Sequence, residues 1–145
     1  MGHSLATWRD VGMLARELAL FRALGDAGVT VTFLSYARGD ESALASDYAP
    51  ALRVRSNRLH LPNSLYTRFL PWLQAPSLRA ADVLRTNQVK GGGLAVQAAR
   101  LWNKPLIARL GYLPSDFIGR EKGRDDASYG RALAEERTLF EGASV

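Results

Sequence analysis

The chain predicts an α/β fold: a Rossmann-like parallel sheet with flanking helices. Residues 29–35 (VTVTFLS) are rich in the β-branched side chains that favour extended backbone. Residues 81–112 (ADVLRTNQVKGGGLAVQAARLWNKPLIARLGY) read as strand, helix and strand without interruption. Helical patterns alternate with these strands, as right-handed crossovers between parallel strands require.

The elements follow in order. Residues 1–8 carry no apolar run. Asp10 is a candidate N-cap for a helix whose apolar side holds Met13, Leu14, Leu18, Phe21 and Leu24, ending at Gly25 or Gly28. The strand 29–35 comes next. A doubly wound domain opens instead with the strand that becomes central to its sheet, so that first strand is expected to be missing. Residues 36–49 are small and polar, and suit a loop or a short helix. Residues 52–61 suit an edge strand, because Arg53, Arg55 and Arg58 keep it from being a buried one. Residues 62–76 combine Leu65, Tyr66, Phe69, Leu70, Trp72 and Leu73 with Arg68 and Pro71. They predict a helix capping the sheet and bent at the proline; the alternative is a basic, aromatic interfacial segment that meets a membrane.

A short strand at 82–85 breaks at Thr86-Asn87-Gln88. Gly91-Gly92-Gly93 opens a helix with Leu94, Ala95, Ala98, Ala99 and Leu101 at helical spacing. Asn103-Lys104-Pro105 stops it, since proline disfavours helical geometry in the residue before it. Residues 106–110 form a second buried strand, ending at Gly111-Tyr112. Residues 114–128, with glycines, mixed charges and few apolar side chains, read as a mobile surface loop. A last helix spans 129–141, and residues 143–145 read as a strand only begun.

Bulk properties bound the function. With 145 residues and 47% hydrophobic content, one domain can bury a core. There is no cysteine, hence no disulfide and no thiolate metal site, and His3 and His60 are too few and too far apart to suggest a metal. The absence of a long apolar run predicts a cytoplasmic protein without a transmembrane helix or signal peptide. Residues 48–115 hold ten basic residues against one acid, Asp82. That balance points to an anionic partner such as a nucleotide, a phosphorylated lipid carrier, membrane headgroups or nucleic acid; a solvated basic surface is the plainer explanation.

Ligands of parallel sheets sit beyond the carboxyl ends of the strands, so residues 86–90 and 109–112 mark the candidate site. Three glycines at a helix start allow an anion close to backbone N–H groups, or serve tight packing. The pattern is neither GxGxxG nor GxxxxGK[ST]. No Ser/His/Asp set is evident, and Glu17, Asp116 and Glu136 are scattered acids.

Four runs, SLATW…VGMLARELALFRALGDAGVTVTFLSY, ADVLRTNQVKGG, KPLIARLGYLPSDF and EERTLFEGASV, together cover most of the chain. In this order they resemble the N-terminal half of family 4 glycosyltransferases, the retaining GT-B enzymes. Thr86-Asn87-Gln88 with Lys90-Gly91 stand for that family's turn after the fourth strand. Arg109-Leu110-Gly111-Tyr112 match its RxGY, Arg16-Glu17 fall on its early helix, and Glu136 with Phe140 match a glutamate four residues before a phenylalanine. The family's first strand is absent, and so is its C-terminal donor domain with the E-x7-E motif. The resemblance therefore implies the acceptor-side half of an enzyme moving sugar from a nucleotide-sugar to a carbohydrate or lipid-linked acceptor, inactive as this piece. It implies a nucleotide-sugar co-substrate, no other cofactor, no metal, and a cytoplasmic location with peripheral membrane contact. In that picture Lys90 and Arg109 offer positive charge, Asn87 and Gln88 bond sugar hydroxyls, Tyr112 stacks on a ring, and Gly91 and Gly111 complete the substrate-binding set. The competing readings are the nucleotide-binding half of another doubly wound enzyme, which lacks its GxGxxG here, and a basic nucleic-acid module, which lacks a recognised motif.

Overall fold

Ser4 sets the start of the chain's first helix: its hydroxyl accepts the Thr7 N–H at 3.1 Å, satisfying a donor the helix cannot satisfy itself. The computed structural model describes residues 4–144. It divides into two compact units between Phe69 and Leu70. His3 and Val145 lie outside the described residues. Among the described residues there are eight helices and four short strands, arranged as two parallel strand pairs, so the chain is α/β.

In the first unit α1 (Leu5–Asp10) buries Leu5 and Trp8, one turn apart. The expectation that Asp10 caps the next helix is corrected: Asp10 is the last residue of α1 and pairs in solvent with Arg9 at 3.0 Å. Gly12, at φ 71°, turns the chain into α2 (Leu14–Asp26), whose N-cap Met13 makes no side-chain bond. Leu14, Leu18 and Phe21 fall on one face of α2 and are buried. The helix stops where Gly28 adopts φ 81° and its N–H meets the Gly25 carbonyl at 2.9 Å, a left-handed exit that glycine enters without strain.

β1 (Thr32–Leu34) pairs in parallel with β2 (Arg53–Arg55), Phe33 opposite Val54. Bonds from Arg53 N to Val31 O and from Ser35 N to Arg55 O continue the ladder by one residue at each end. Between the strands lies α3 (Ser42–Ser46). The arginines do not keep β2 wholly outside: Arg53 and Arg55 are exposed while Val54 between them is buried, as two-residue alternation requires. Nor does the strand run to residue 61. The fully buried Asn57 bonds both backbone groups of Leu61, and His60 at φ 51° closes the loop. Trp8 and Phe21 pack their rings against Phe33, at 5.3 and 6.1 Å, over Ala45, Ala49 and Leu52.

α4 (Asn63–Leu73) runs through Pro71 and ends two residues later, and α5 (Ala75–Ala80) follows with Pro76 in its first turn. Pro71 removes one helical N–H, and the helix ends before a further turn is built on the loss.

In the second unit β3 (Leu84–Arg85) pairs in parallel with β4 (Leu106–Ile107), Leu84 opposite Leu106. Both strands are shorter than their apolar runs, 82–85 and 106–110. α6 (Gly92–Trp102) links them, entering from Gly91 at φ 91° and leaving through Asn103 at φ 50°. Residues 114–128 are corrected from a mobile loop: they contain α7 (Pro114–Glu121) and the start of α8 (Ala127–Gly142). Pro114 suits a first helical position, where its missing N–H costs nothing, and Asp116 pairs with Arg120 one turn on at 2.9 Å. Asp126 caps α8 by accepting the Ser128 N–H at 2.7 Å. After α8 the expected strand at 143–145 is not formed at residues 143 and 144; Ser144 alone is tied to β4, its N–H meeting the Leu106 carbonyl at 2.7 Å and its hydroxyl accepting the Leu106 N–H.

Val89, Val96, Ala99, Leu106 and Leu139 form this unit's core. α6 and α8 approach through missing side chains: a Cβ on Gly142 would lie 2.5 Å from both Val96 methyls, whereas one on Gly93 would meet nothing within 4 Å. Gly142→Ala is therefore expected to destabilise the chain by about 1–3 kcal/mol through overpacking. Gly93→Ala is expected to stabilise it by about 0.5–1 kcal/mol through helix propensity. Urea denaturation of both variants checks the opposite signs.

Candidate functional site

The parallel pairing of β3 and β4 brings their carboxyl ends side by side, and Thr86 locks the two together there. Its N–H extends the ladder to the Ile107 carbonyl at 3.0 Å. Its buried hydroxyl accepts the Arg109 N–H and donates to the Arg109 carbonyl, both at 3.0 Å. A side chain thus replaces ladder bonds where the regular strands end, which is why β4 is short but the chain stays in register.

Beyond Thr86 the loop turns over Asn87, Gln88 and Val89. Val89 is buried and anchors the turn, leaving Asn87 and Gln88 half-buried and Lys90 exposed. The Arg109 guanidinium donates to the Asn87 side-chain oxygen at 2.7 Å and to the Asn87 carbonyl at 3.4 Å. Of the residues singled out from sequence, Asn87 and Arg109 are thus in direct contact. Lys90 and Gly91 follow on the same loop. Gly111 and Tyr112 continue from β4, and the Tyr112 ring meets Phe117 of α7 edge-on at 6.3 Å, both rings exposed.

The three glycines divide their work. Gly91 supplies the left-handed entry to α6. Gly92 serves packing, since a Cβ there would sit 3.0 Å from the Leu139 side chain, and its N–H is taken by the Val89 carbonyl at 2.7 Å. Gly93 alone combines a first-turn N–H with open space where a side chain would be. Lys90 and this helix start supply positive potential to the strand ends.

The sequence reading missed Thr86 as the joint of the site and Glu136 as a buried group. Glu136 of α8 is 4% exposed and accepts the Ser115 N–H at 2.7 Å and the Ser115 hydroxyl at 2.6 Å, holding the start of α7. The outward side of the same helix pair is an open depression of about 310 Å³, lined by Ser115, Asp116, Gly119, Arg120, Arg124 and Tyr129. Among the described residues, no group of three histidine or carboxylate side chains is arranged to hold a metal ion.

Comparison of the chain with protein-family models, with curated proteins and with solved structures finds no match.

Thr86→Val keeps the shape of the side chain and removes its hydroxyl, leaving the Arg109 N–H and carbonyl without that partner. The expected cost is about 1–3 kcal/mol for the lost buried bonds. Slower-protected amides around Arg109 should become fast in hydrogen exchange, while those of β1 and β2 stay unchanged.

Proposed function

We propose that the chain is the acceptor-side half of a retaining, GT-B-type glycosyltransferase that uses a nucleotide-sugar donor. The observation that carries the proposal is the edge built by β3 and β4, where polar loops converge beside a helix start. Parallel pairing with a helix in each connection supports a Rossmann-like reading, as does the placement of the loops beyond the strands' carboxyl ends.

At that edge Asn87 and Arg109 form one hydrogen-bonded pair, so the guanidinium is fixed in orientation by the loop it serves. Hydroxyl-rich ligands suit such a pair, because a sugar hydroxyl both donates and accepts. Lys90, exposed on the same loop, adds a charge that can follow an anionic group on the acceptor or on the donor phosphate. Tyr112 and Phe117 offer exposed ring faces to a sugar or a lipid chain. In this reading the residues at the β3–β4 edge bind and orient the acceptor, and a donor domain supplies the transfer chemistry.

Titration of the labelled chain with nucleotide-sugars, sugar phosphates and neutral oligosaccharides tests the proposal by amide shifts. Shifts concentrated at residues 86–93 and 109–112 are expected for at least one sugar-bearing ligand. Lys90→Ala should weaken that ligand about tenfold or more, since a charge-assisted hydrogen bond contributes roughly 1.5–3 kcal/mol. Lys104→Ala, after the far end of α6, should leave the affinity unchanged. Shifts confined to other surfaces, equal effects at both lysines, or sugar transfer by these residues alone would overturn the assignment.

A further inference from the structure

The depression of about 310 Å³ beside α7 and α8 is lined by none of the strand-end loop residues, and its walls have a definite origin. Ser115, Asp116, Gly119 and Arg120 recur at i, i+1, i+4 and i+5, so one face of α7 forms the floor. Gly119 sets the spacing. A Cβ there would lie 3.2 Å from the Tyr129 ring and 3.7 Å from Arg124 Cγ. Without it, the ring from the first turn of α8 and the arginine stem from the connecting turn both rest against the backbone of α7. Glycine inside a helix is unfavourable, so this close approach outweighs a loss of helix propensity.

The charges around the depression are unequally matched. Arg120 is held by Asp116 through two contacts, Nε to Oδ1 at 3.2 Å and Nη2 to Oδ2 at 2.9 Å. Arg124 is exposed and has no carboxylate partner among the described residues, although Asp125 and Asp126 follow it in the chain. The Asp126 carboxylate accepts the Ser128 N–H instead. The lining therefore sets two guanidinium groups against one carboxylate, with the Tyr129 phenol beside them.

We propose that this depression binds a small hydroxylated oxyanion, whose carboxylate or phosphate group is taken by Arg124. A guanidinium presents its donors as a fork that fits two oxygens of either group. Arg120, oriented by Asp116, adds the second positive charge and the donors that its two contacts leave over. Hydroxyls suit the remaining wall, because the Asp116 oxygens retain lone pairs and the Tyr129 phenol both donates and accepts. One surplus positive charge matches one anionic group. The volume lies at the lower end of small-molecule sites, which begin at about 300 Å³. The proposal stands on α7 and α8 and does not rest on the glycosyltransferase reading.

Titration of the isotope-labelled chain with gluconate and with glycerol phosphate, beside their neutral twins sorbitol and glycerol, tests it by amide shifts. None of these probes carries a sugar ring, so the result is separate from that of the sugar titration above. Saturable shifts at residues 115–124 and 127–130 are expected with at least one anion and not with its neutral twin. The anion that binds more tightly tells carboxylate from phosphate. Arg124→Gln should weaken that anion about tenfold. Tyr129→Phe keeps the ring against Gly119 and should lose a smaller part. Arg137→Gln, whose arginine pairs with Glu141 farther along α8, is the control and should bind as the parent does. No saturable shift with either anion overturns the proposal, as do equal shifts from a neutral twin. It is also overturned by unchanged affinity in Arg124→Gln, or by equal losses in Arg124→Gln and Arg137→Gln, which would mean that only net charge is read.

Discussion

A carboxylate taken out of water must be given hydrogen bonds, and in the second unit this requirement ties the last helix to the rest. Glu136 is almost wholly buried on α8, and both of its oxygens are engaged by Ser115 at the start of α7. Removing either partner would leave buried polar groups unmatched, so each helix stabilises the other. One turn along α8, Leu139 fills the space left by Gly92. Past the helix end, Ser144 closes onto Leu106 of β4. The position of α8 thus controls α7, α6 and the strand pair that carries the candidate site.

The first unit uses the same device in a different topology. Glu41, also 4% exposed, accepts the Ala6 N–H of α1 at 2.8 Å and the hydroxyl of Ser35 at the end of β1. In both units an acid distant in sequence reaches a helix start, where the first N–H groups have no partner within the helix and the dipole favours negative charge. Local turns and caps use shorter acids. Asp40 and Asp126 each accept from the serine two residues on, and bonding first to that serine's hydroxyl and then to its N–H holds both carboxyls below their ordinary range. Groups lowered in this way favour the fold above the usual carboxylate pKa, and that contribution fades as pH falls through the lowered value. Each aspartate bonds only a serine two residues on, so the burden of holding distant elements rests on the two glutamates.

This division explains what could be read from the sequence. Elements specified by their own residues were legible: the β-branched run containing β1, the leucines and phenylalanine of α2, the glycine start and Asn103 stop of α6, and the pairing of the strand ends around it. Their boundaries were less so, because strand length depends on which residues find a partner; Val83 has β propensity yet lies exposed outside β3. α7 was missed because its apolar content is low and its N-terminus is completed by Glu136, 21 residues away. α1 was missed because one turn with Leu5 and Trp8 shows too few repeats for a period to emerge. Thr86 looked like a loop residue, and nothing local says that its hydroxyl will span two strands.

The same distinction sharpens the candidate site. A glycine triplet invites a single explanation, but three different constraints act on three adjacent positions: a left-handed turn, a helix contact, and an open approach. Only the third bears on a ligand, so the positive end of α6 is reached at Gly93, while Gly91 and Gly92 make that end possible. Arg109 and Lys90 divide in the same way. Arg109 is bound to Asn87 and braces the loop, as Thr86 braces the strand beneath it. Lys90 sits exposed above the buried anchor Val89, and its charge can move with whatever is bound. A rigid polar floor with one flexible cation at its rim suits ligands that vary in their anionic group but share a hydroxyl-bearing body. That combination follows from the strand register and the glycine turn.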